Sequence, residues 1–494
     1  MARLLFLHEI PYEFIGVMSL ASYVKEAGHD VELLIKSEEG KKFWPKVEEY
    51  KPDVVAFSTM IFVHFRTMPF ARLVKERLGV PVIMGGPYPT YEPEKAIEKP
   101  YIDAIVRGEG EVTLLDMLNA FDEGRSWRDI PNVWTKEDGE IIRNDVRPLP
   151  TGLDDYPIGD RSIYYKYPYL RNLTTKTFIT GRGCPYNCHF CWIQEFHKLY
   201  KGKAKPVRRF SPSYMIEEIS RVKHNYPLKR IYFNDDIFII SKKWLQEFLP
   251  RYKSEINVPY VCNVYLSLVD EDIAKLLKET GCAAVMFGIE SGNERIRNEV
   301  LGKGLKEEKI LEATALFKKY GIKMRSFNIV GSPTETVENA FETIDLNVRA
   351  KVELPWCSIY QPHPGTETTR IAMQVGAIPS DFDVDRDMKG LSLFKDSCLK
   401  QPDMKALVHT QKLFIIGVKL PWTRPLLRKA VYWPLTPIYE VLFLFSFFLR
   451  YMRETDLSLW QVMNTAFRQI REYWNKPFER RAAKREADQE LAMK

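Results

Sequence analysis

Three of the seven cysteines in this chain fall within eight residues: Cys184, Cys188 and Cys191, in the stretch "GRGCPYNCHFCW" (181–192). Soft thiolates suit iron–sulfur clusters or zinc. A four-iron cluster takes one cysteine per iron, so three local cysteines leave one iron with an open position. Such a position can chelate a small ligand, as open metal sites do in catalysis. Zinc would recruit His189 as fourth ligand, but His189 is adjacent to Cys188 and the paired CxxC spacing is absent. Cys262, Cys282, Cys357 and Cys398 stand singly in apolar contexts and read as core residues.

The elements around the cluster define where it must sit. From about Thr174, short apolar runs ("KTFITGR", "RIYFND", "YVCNVY", "AAVMFGIE", "KMRSFNIV", "PWCSIYQP") alternate with helical patterns over 212–224, 242–252, 270–279, 307–320 and 335–349. This βα rhythm predicts a barrel, incomplete at six units, and barrel enzymes work at the carboxyl ends of their strands. The cysteines follow the first strand. "FNDDIF" (233–238) ends the second, "GIESGNE" (288–294) the fourth, "NIVGSPTET" (328–336) the fifth and "QPHPGT" (361–366) the sixth. Ser241 is the better cap for the helix after "FNDDIF", and Pro333 and Thr334 are placed at the start of the helix after the fifth strand.

An earlier α/β pattern occupies the first 120 residues, where "RLLFLH", "DVELLI", "DVVAFS", "VPVIMGG" and "IDAIVRG" read as strands of a parallel, doubly wound sheet. Ligands of such sheets bind at the carboxyl ends of the strands. "MGGPYPT" (84–90), with Gly85 and Gly86, and "RGEGE" (107–111), with Glu109, leave strands there. Both also read as simple tight turns. Residues 131–150 predict a β-hairpin turning at Asp138-Gly139, and the Pro- and Tyr-rich stretch after it reads as a linker. The domain organisation is therefore 1–150, a linker over 151–173, a barrel over 174–375 and a mainly helical region over 376–494. Within the last, "IYEVLFLFSFFL" (438–449) is interrupted by Glu440 and shorter than the ~20 residues of a spanning helix. It reads as a membrane-surface helix or a buried core helix. The charged tail 475–494 reads as a solvated or fraying helix.

The totals agree with a globular protein of two or three domains. The chain has 494 residues, 45% apolar and 28% charged, with a net charge of +7. That charge suits anionic ligands or an anionic membrane surface. No helix-turn-helix or basic region with readable spacing is present, so nucleic acid is not expected as a partner. The opening "MARLLFLHEIPYEF" reads as a strand and not as a signal peptide, which gives a cytoplasmic expectation with reduced thiols.

"CPYNCHFC" (184–191) resembles the CxxxCxxC signature of the radical S-adenosylmethionine (SAM) superfamily, including the aromatic Phe190 before the third cysteine. The resemblance implies that Cys184, Cys188 and Cys191 hold a [4Fe–4S] cluster whose open iron chelates SAM, with Phe190 beside it. It further implies Asp235 at the methionine amino end, Glu290 and Ser291 at the ribose and carboxylate, Arg325 at the carboxylate and Gly331 against the adenine. For these residues the ordinary readings are a helix cap, strand-end turns and a surface arginine. A doubly wound domain ahead of the barrel is similar to the cobalamin-binding subgroup, whose members include hopanoid methylases and anaerobic Mg-protoporphyrin ester cyclases. That similarity places Gly85, Gly86 and Glu109 at a cobalamin site. No DxHxxG motif is present, and His8, His29 and His64 read as structural or surface residues. The implied activity is reductive SAM cleavage and hydrogen abstraction from an unactivated carbon. Its outcome is cobalamin-dependent methylation of a lipid, isoprenoid, tetrapyrrole or natural product. Radical cyclisation or carbon–carbon coupling is the alternative, and a non-catalytic cobalamin or redox sensor the remoter one. Implied partners are a flavodoxin- or ferredoxin-type electron donor and, through 438–449, a membrane surface.

Overall fold

In the computed structural model, described over residues 1–391, 394 and 396–454, the chain builds two α/β layers systems in succession. The first is a seven-stranded sheet of β1 (Arg3–His8), β2 (Asp30–Ile35), β3 (Val54–Ser58), β4 (Val82–Gly85), β5 (Ala104–Val106), β6 (Val133–Glu137) and β7 (Glu140–Arg143), in the order β2-β1-β3-β4-β5-β6-β7. β1 to β5 are parallel, and β6 and β7 are antiparallel. The continuous apolar runs have a direct cause. Leu4 and Phe6 pack into the core on one face while Leu5 and Leu7 pack into the core on the other, as in parallel sheets buried on both sides. The β6–β7 hairpin turns at Asp138-Gly139, both with positive φ (52° and 82°), the geometry of a two-residue hairpin turn.

The stretch 151–173 is not a free linker. Its short helices Ser162–Tyr165 and Pro168–Arg171 bury Tyr164, Tyr165 and Leu170 in the first domain's core. Aromatic rings spaced without helical or strand periodicity gave no sign of this burial in the sequence.

The second sheet has six parallel strands, β8 (Thr175–Phe178), β11 (Arg230–Phe233), β12 (Tyr260–Asn263), β13 (Cys282–Glu290), β14 (Lys323–Val330) and β15 (Leu354–Ile359), ordered β15-β14-β13-β12-β11-β8. No pairing joins β15 to β8, so the barrel is open. A small ribbon, β9 (Gly181–Arg182) with β10 (Arg208–Arg209), flanks the cysteine loop. One face of this sheet carries the larger core: Ile231, Phe233, Cys262, Val285, Phe287 and Met324 pack under the helices. The alternating residues Tyr232, Asn263, Arg325, Phe327 and Trp356 are half-buried. Parallel sheets are normally covered on both faces; this inner, concave face is the less covered of the two.

Ser241 caps the helix Lys242–Arg251, accepting from Trp244 N at 3.3 Å. The helix after β14 starts later than Pro333-Thr334: it spans Val337–Arg349, and Thr336 and Asn339 form a reciprocal capping box. The intervening turn is held by Glu335, whose Oε2 accepts from Gly331 N (2.6 Å) and Ser332 N (2.9 Å). Beyond residue 375, the helix Met404–Lys419 packs against β15 and Val337–Arg349, with Gln411 Nε2 donating to the Cys357 carbonyl at 3.0 Å. Residues Met1–Trp433 form one compact unit. The helix Thr436–Glu454 belongs to a second and contains the apolar run 438–449. The charged tail 475–494 lies outside the described residues.

Candidate functional site

The cysteine loop is set by close packing at two glycines. Gly183, with φ +90°, lies so near the Pro206 carbonyl that any Cβ would overlap it. On the other side, Gly302 (φ +60°) meets the His189 ring in the same way. Backbone bonds complete the clamp: His189 N donates to Leu301 O at 2.9 Å and Thr368 N to His189 O at 3.0 Å. His197 bridges the Asn187 side-chain oxygen (2.7 Å) and the Cys184 carbonyl (2.9 Å). Phe190 packs on Ile296, Val300 and Leu301.

Cys184, Cys188 and Cys191 are free thiols, Cys188 buried and the other two half-buried. Burial pushes Cys184 up to about 12 and Cys191 up to about 11, and raises Cys188 as well. These thiols therefore ionise when a metal centre takes them as ligands. Among the described residues, no three His, Cys, Asp or Glu side chains converge at single-ion spacing. A four-iron cluster places its thiolates on separate irons and so farther apart, which this donor set suits. His189 Nδ1 is turned to the Glu299 carbonyl, 3.2 Å away.

The remaining barrel residues divide into two groups. Asp235 is buried and committed internally: its carboxylate accepts from Thr180 N (3.1 Å) and Thr180 Oγ1 (2.6 Å), with Arg209 Nη2 at 3.5 Å. Its neighbour Asp236 is the exposed carboxylate of the "FNDDIF" pair. Ser291 is fully buried in the turn, with Oγ accepting from Asn293 N at 3.3 Å. Gly331 has φ +85°, and a Cβ there would come within 2.7 Å of Met404 Cε. Arg325 lies on the concave face, with Nη1 3.9 Å from Met286 Sδ and its guanidinium 5.5 Å from the Phe327 ring centre.

Glu290 ends β13 at a register shift, with φ +64°. Its carboxylate folds over Gly288, where a Cβ would overlap it, and pairs with Lys303 at 2.9 Å. Lys303 escaped the sequence reading. The available signal was the Gly302-Lys303-Gly304 triplet, two positive-φ glycines around one lysine.

At the carboxyl edge of the first sheet, Gly86 (φ +97°) approaches Thr59 so closely that a Cβ would stand 2.7 Å from the Thr59 carbonyl oxygen. Gly85 has open space where its side chain would be. Tyr12 and Met60, after β1 and β3, stay exposed at 56% and 37%. A bare backbone step beside exposed apolar side chains suits the flat, largely apolar corrin ring of cobalamin. The histidines are engaged elsewhere. His8 is buried against Phe14 and pushed down to about 4 by burial, His29 accepts from Ala2 N or meets Asn119, and His64 stacks on Tyr88 and meets Asp385 at 3.0 Å. Glu109 is bound by Arg182 (2.8 Å) and Arg208, from the ribbon beside the cysteine loop. It also lines a cavity of about 420 Å³ with Tyr23, Glu111, Arg147 and Tyr156, which none of the cysteines lines.

The two edges meet. Trp192, next to Cys191, stacks on Tyr91 of the short helix Pro87–Tyr91 after Gly86 (5.4 Å between centres), and His363 lies between Trp192 (4.2 Å) and Phe62 (5.7 Å).

Two family models match the chain: "Radical SAM superfamily" over 178–346 and "B12 binding domain" over 11–118. An uncharacterized methyltransferase of Pyrococcus horikoshii is 32% identical over 367 residues, covering 73% of this chain and 78% of that protein. The chain belongs to the radical SAM superfamily, in its B12-binding branch. The anaerobic magnesium-protoporphyrin IX monomethyl ester cyclase of Rubrivivax gelatinosus is 26% identical over 367 residues, 70% of this chain and 64% of that one. Among solved structures, the radical SAM methyltransferase TsrM of Kitasatospora setae, with cobalamin and a [4Fe–4S] cluster bound, superposes with a TM-score of 0.63. It is 19% identical and covers 76% of this chain and 79% of that chain, a likeness of fold. The protein is thus an enzyme whose cofactors are a [4Fe–4S] cluster, SAM and cobalamin.

Proposed function

We propose that this enzyme cleaves SAM reductively and methylates an unactivated carbon of a hydrophobic small molecule with cobalamin as methyl carrier. The observation that carries the reading is the stack of Tyr91, Trp192, His363 and Phe62, which joins the loop after Cys191 to the carboxyl edge of the first sheet. When bound, the cluster supplies the electron for SAM cleavage and cobalamin supplies the methyl group. Cys184, Cys188 and Cys191 hold the cluster. Asp236 takes the methionine amino end expected of Asp235, which instead fixes Thr180 and Arg209 beneath the loop. Glu290, Arg325 and the backbone at Ser291 and Gly331 border SAM, with Phe190 closing the cluster side. Gly85 and Gly86 seat the corrin, and Glu109 acts from behind by tying Arg182 and Arg208 to the first domain. Tyr232, Met286, Phe327 and Trp356 give the concave face an apolar lining that excludes water from a radical and favours an isoprenoid, lipid or tetrapyrrole.

The electron donor in this reading is a flavodoxin- or ferredoxin-type protein in the cytoplasm. The helix Thr436–Glu454 exposes Ile438, Val441, Leu444 and Phe445, and among the described residues no helix is long and apolar enough to cross a membrane. It lies on a membrane surface in this reading.

The test is anaerobic reconstitution, with electron paramagnetic resonance (EPR) spectra with and without SAM, a corrinoid assay and product analysis. A SAM-perturbed four-iron signal, bound corrinoid and a methylated product from candidate lipids support the proposal. A cluster with corrinoid but a cyclised or coupled product replaces methylation with the second outcome. Stoichiometric zinc without a cluster overturns it.

A further inference from the structure

We infer that Lys303 is a positioning residue for the cluster's electrostatics: a buried ammonium, locked by Glu290 against the cysteine loop, that raises the cluster's reduction potential. The inference rests on the assignment of Cys184, Cys188 and Cys191 as cluster ligands.

The geometry is specific. Lys303 sits on residues 299–305, and this segment is bonded to the cysteine loop itself through His189 N to Leu301 O and His189 Nδ1 to Glu299 O. Gly302 and Gly304, with φ of +60° and +61°, reverse the chain on either side of the lysine. A side chain at Gly302 would overlap His189, so the lysine is held one residue beyond the point of closest approach. Lys303 itself is only 9% exposed. Its ammonium is 2.9 Å from Glu290, 6.0 Å from the Phe190 ring centre and 5.2 Å from that of Tyr265. The Tyr265 hydroxyl donates to the Lys303 carbonyl and fixes the backbone. Burial alone would lower this lysine, but Glu290 and Cys188 reverse that and hold it above the usual range.

One-electron reduction adds one negative charge to the cluster; no bond is made or broken, and the electron comes from the donor protein or, in the test, from dithionite. A fixed cation in a low-dielectric wall favours the more negative state, and net charge and hydrogen bonding are among the determinants of cluster potential. Glu290 has two effects: it holds the ammonium in place and cancels part of its field.

The experiment is an anaerobic EPR redox titration of the full-length reconstituted protein without SAM, followed by SAM binding measured separately. Lys303→Met is expected to shift the reduced-to-oxidised ratio about tenfold toward oxidised at the wild-type midpoint, equivalent to ~59 mV for one electron. Lys303→Arg should stay within about threefold of wild type. Glu290→Gln keeps an acceptor oxygen for the ammonium and removes only the counter-charge, so its shift should have the opposite sign. If Lys303→Met assembles no cluster, the sign of the Glu290→Gln shift decides alone. Unchanged midpoints with intact cluster signals, or weakened SAM binding with no change in the SAM-free midpoint, overturn the inference. Absence of any cluster in the wild-type protein would instead overturn the ligand assignment beneath it.

Discussion

Gly302 and Gly304 allow the clamp on the cysteine loop to be tested by a matched pair of substitutions. Both residues have almost the same left-handed φ, +60° and +61°, but a Cβ on Gly302 runs into the His189 ring whereas one on Gly304 meets nothing within 4 Å. Gly304→Ala therefore isolates the backbone cost, about 1–2 kcal/mol for a non-glycine residue in the left-handed region. Gly302→Ala adds an overpacking cost of about 1–3 kcal/mol, for a total of about 2–5 kcal/mol. It also displaces His189, the residue directly after Cys188. The assay is thermal unfolding of both metal-free variants in parallel, with iron content and the EPR signal after reconstitution. At roughly 2–4 °C per kcal/mol for a domain of 150–250 residues, Gly304→Ala should lose a few degrees and keep its cluster. Gly302→Ala should lose about twice as much and assemble less cluster. Equal losses in the two variants, or a full cluster in Gly302→Ala, would refute the argument that His189 transmits this packing to the metal site.

Cys184→Ser, Cys188→Ser and Cys191→Ser should each abolish the reconstituted cluster absorbance, while Cys398→Ser should retain it; iron and sulfide analysis reads both. Burial lifts the Glu335 carboxyl to about 8. A carboxyl with a raised folded-state pKa contributes stability below its unfolded value that is lost as pH rises through the folded one. Wild type should therefore lose stability relative to Glu335→Gln between about pH 4.5 and pH 8 in melting curves across that range. Arg182 joins buried Glu111 (2.6 Å) and half-buried Glu109 (2.8 Å), so Arg182→Met should cost about 3–5 kcal/mol by leaving the buried Glu111 carboxylate without its cation, while Glu109 keeps Arg208. Loss of the surface partner in Lys25→Met, which frees Asp160, should cost under about 1 kcal/mol in the same melts.

Some of the site could be read residue by residue, and the remainder for definite reasons could not. "CPYNCHFC" was legible because three thiols at fixed spacing have few other uses. The βα rhythm was legible because apolar runs and amphipathic helices differ in period. Of the adjacent carboxylates Asp235 and Asp236, the sequence offers no means of choosing which is buried; that depends on Thr180 and Arg209, 55 and 26 positions away. Lys303 was missed because a lysine in a Gly-rich turn ordinarily points into water, and only the Glu290 carboxylate, 13 residues earlier, draws it inward. Glu109 was expected at a ligand, yet two arginines from the barrel ribbon take its carboxylate.

By itself, then, the sequence determined the local quantities: strand and helix periods, the turn at Asp138-Gly139, the cap at Ser241 and the donor set of the cysteine loop. Each depends on neighbours within a few residues, where covalent geometry limits the choices. Tertiary structure alone decided which charges are neutralised inside the fold and which stay exposed, that Tyr164, Tyr165 and Leu170 of the stretch 151–173 are buried in the first domain's core, and that the cysteine loop meets the edge of the first sheet through Trp192, Tyr91 and His363. Those outcomes depend on contacts between residues up to hundreds of positions apart, and burial rather than residue type fixes the energy of each.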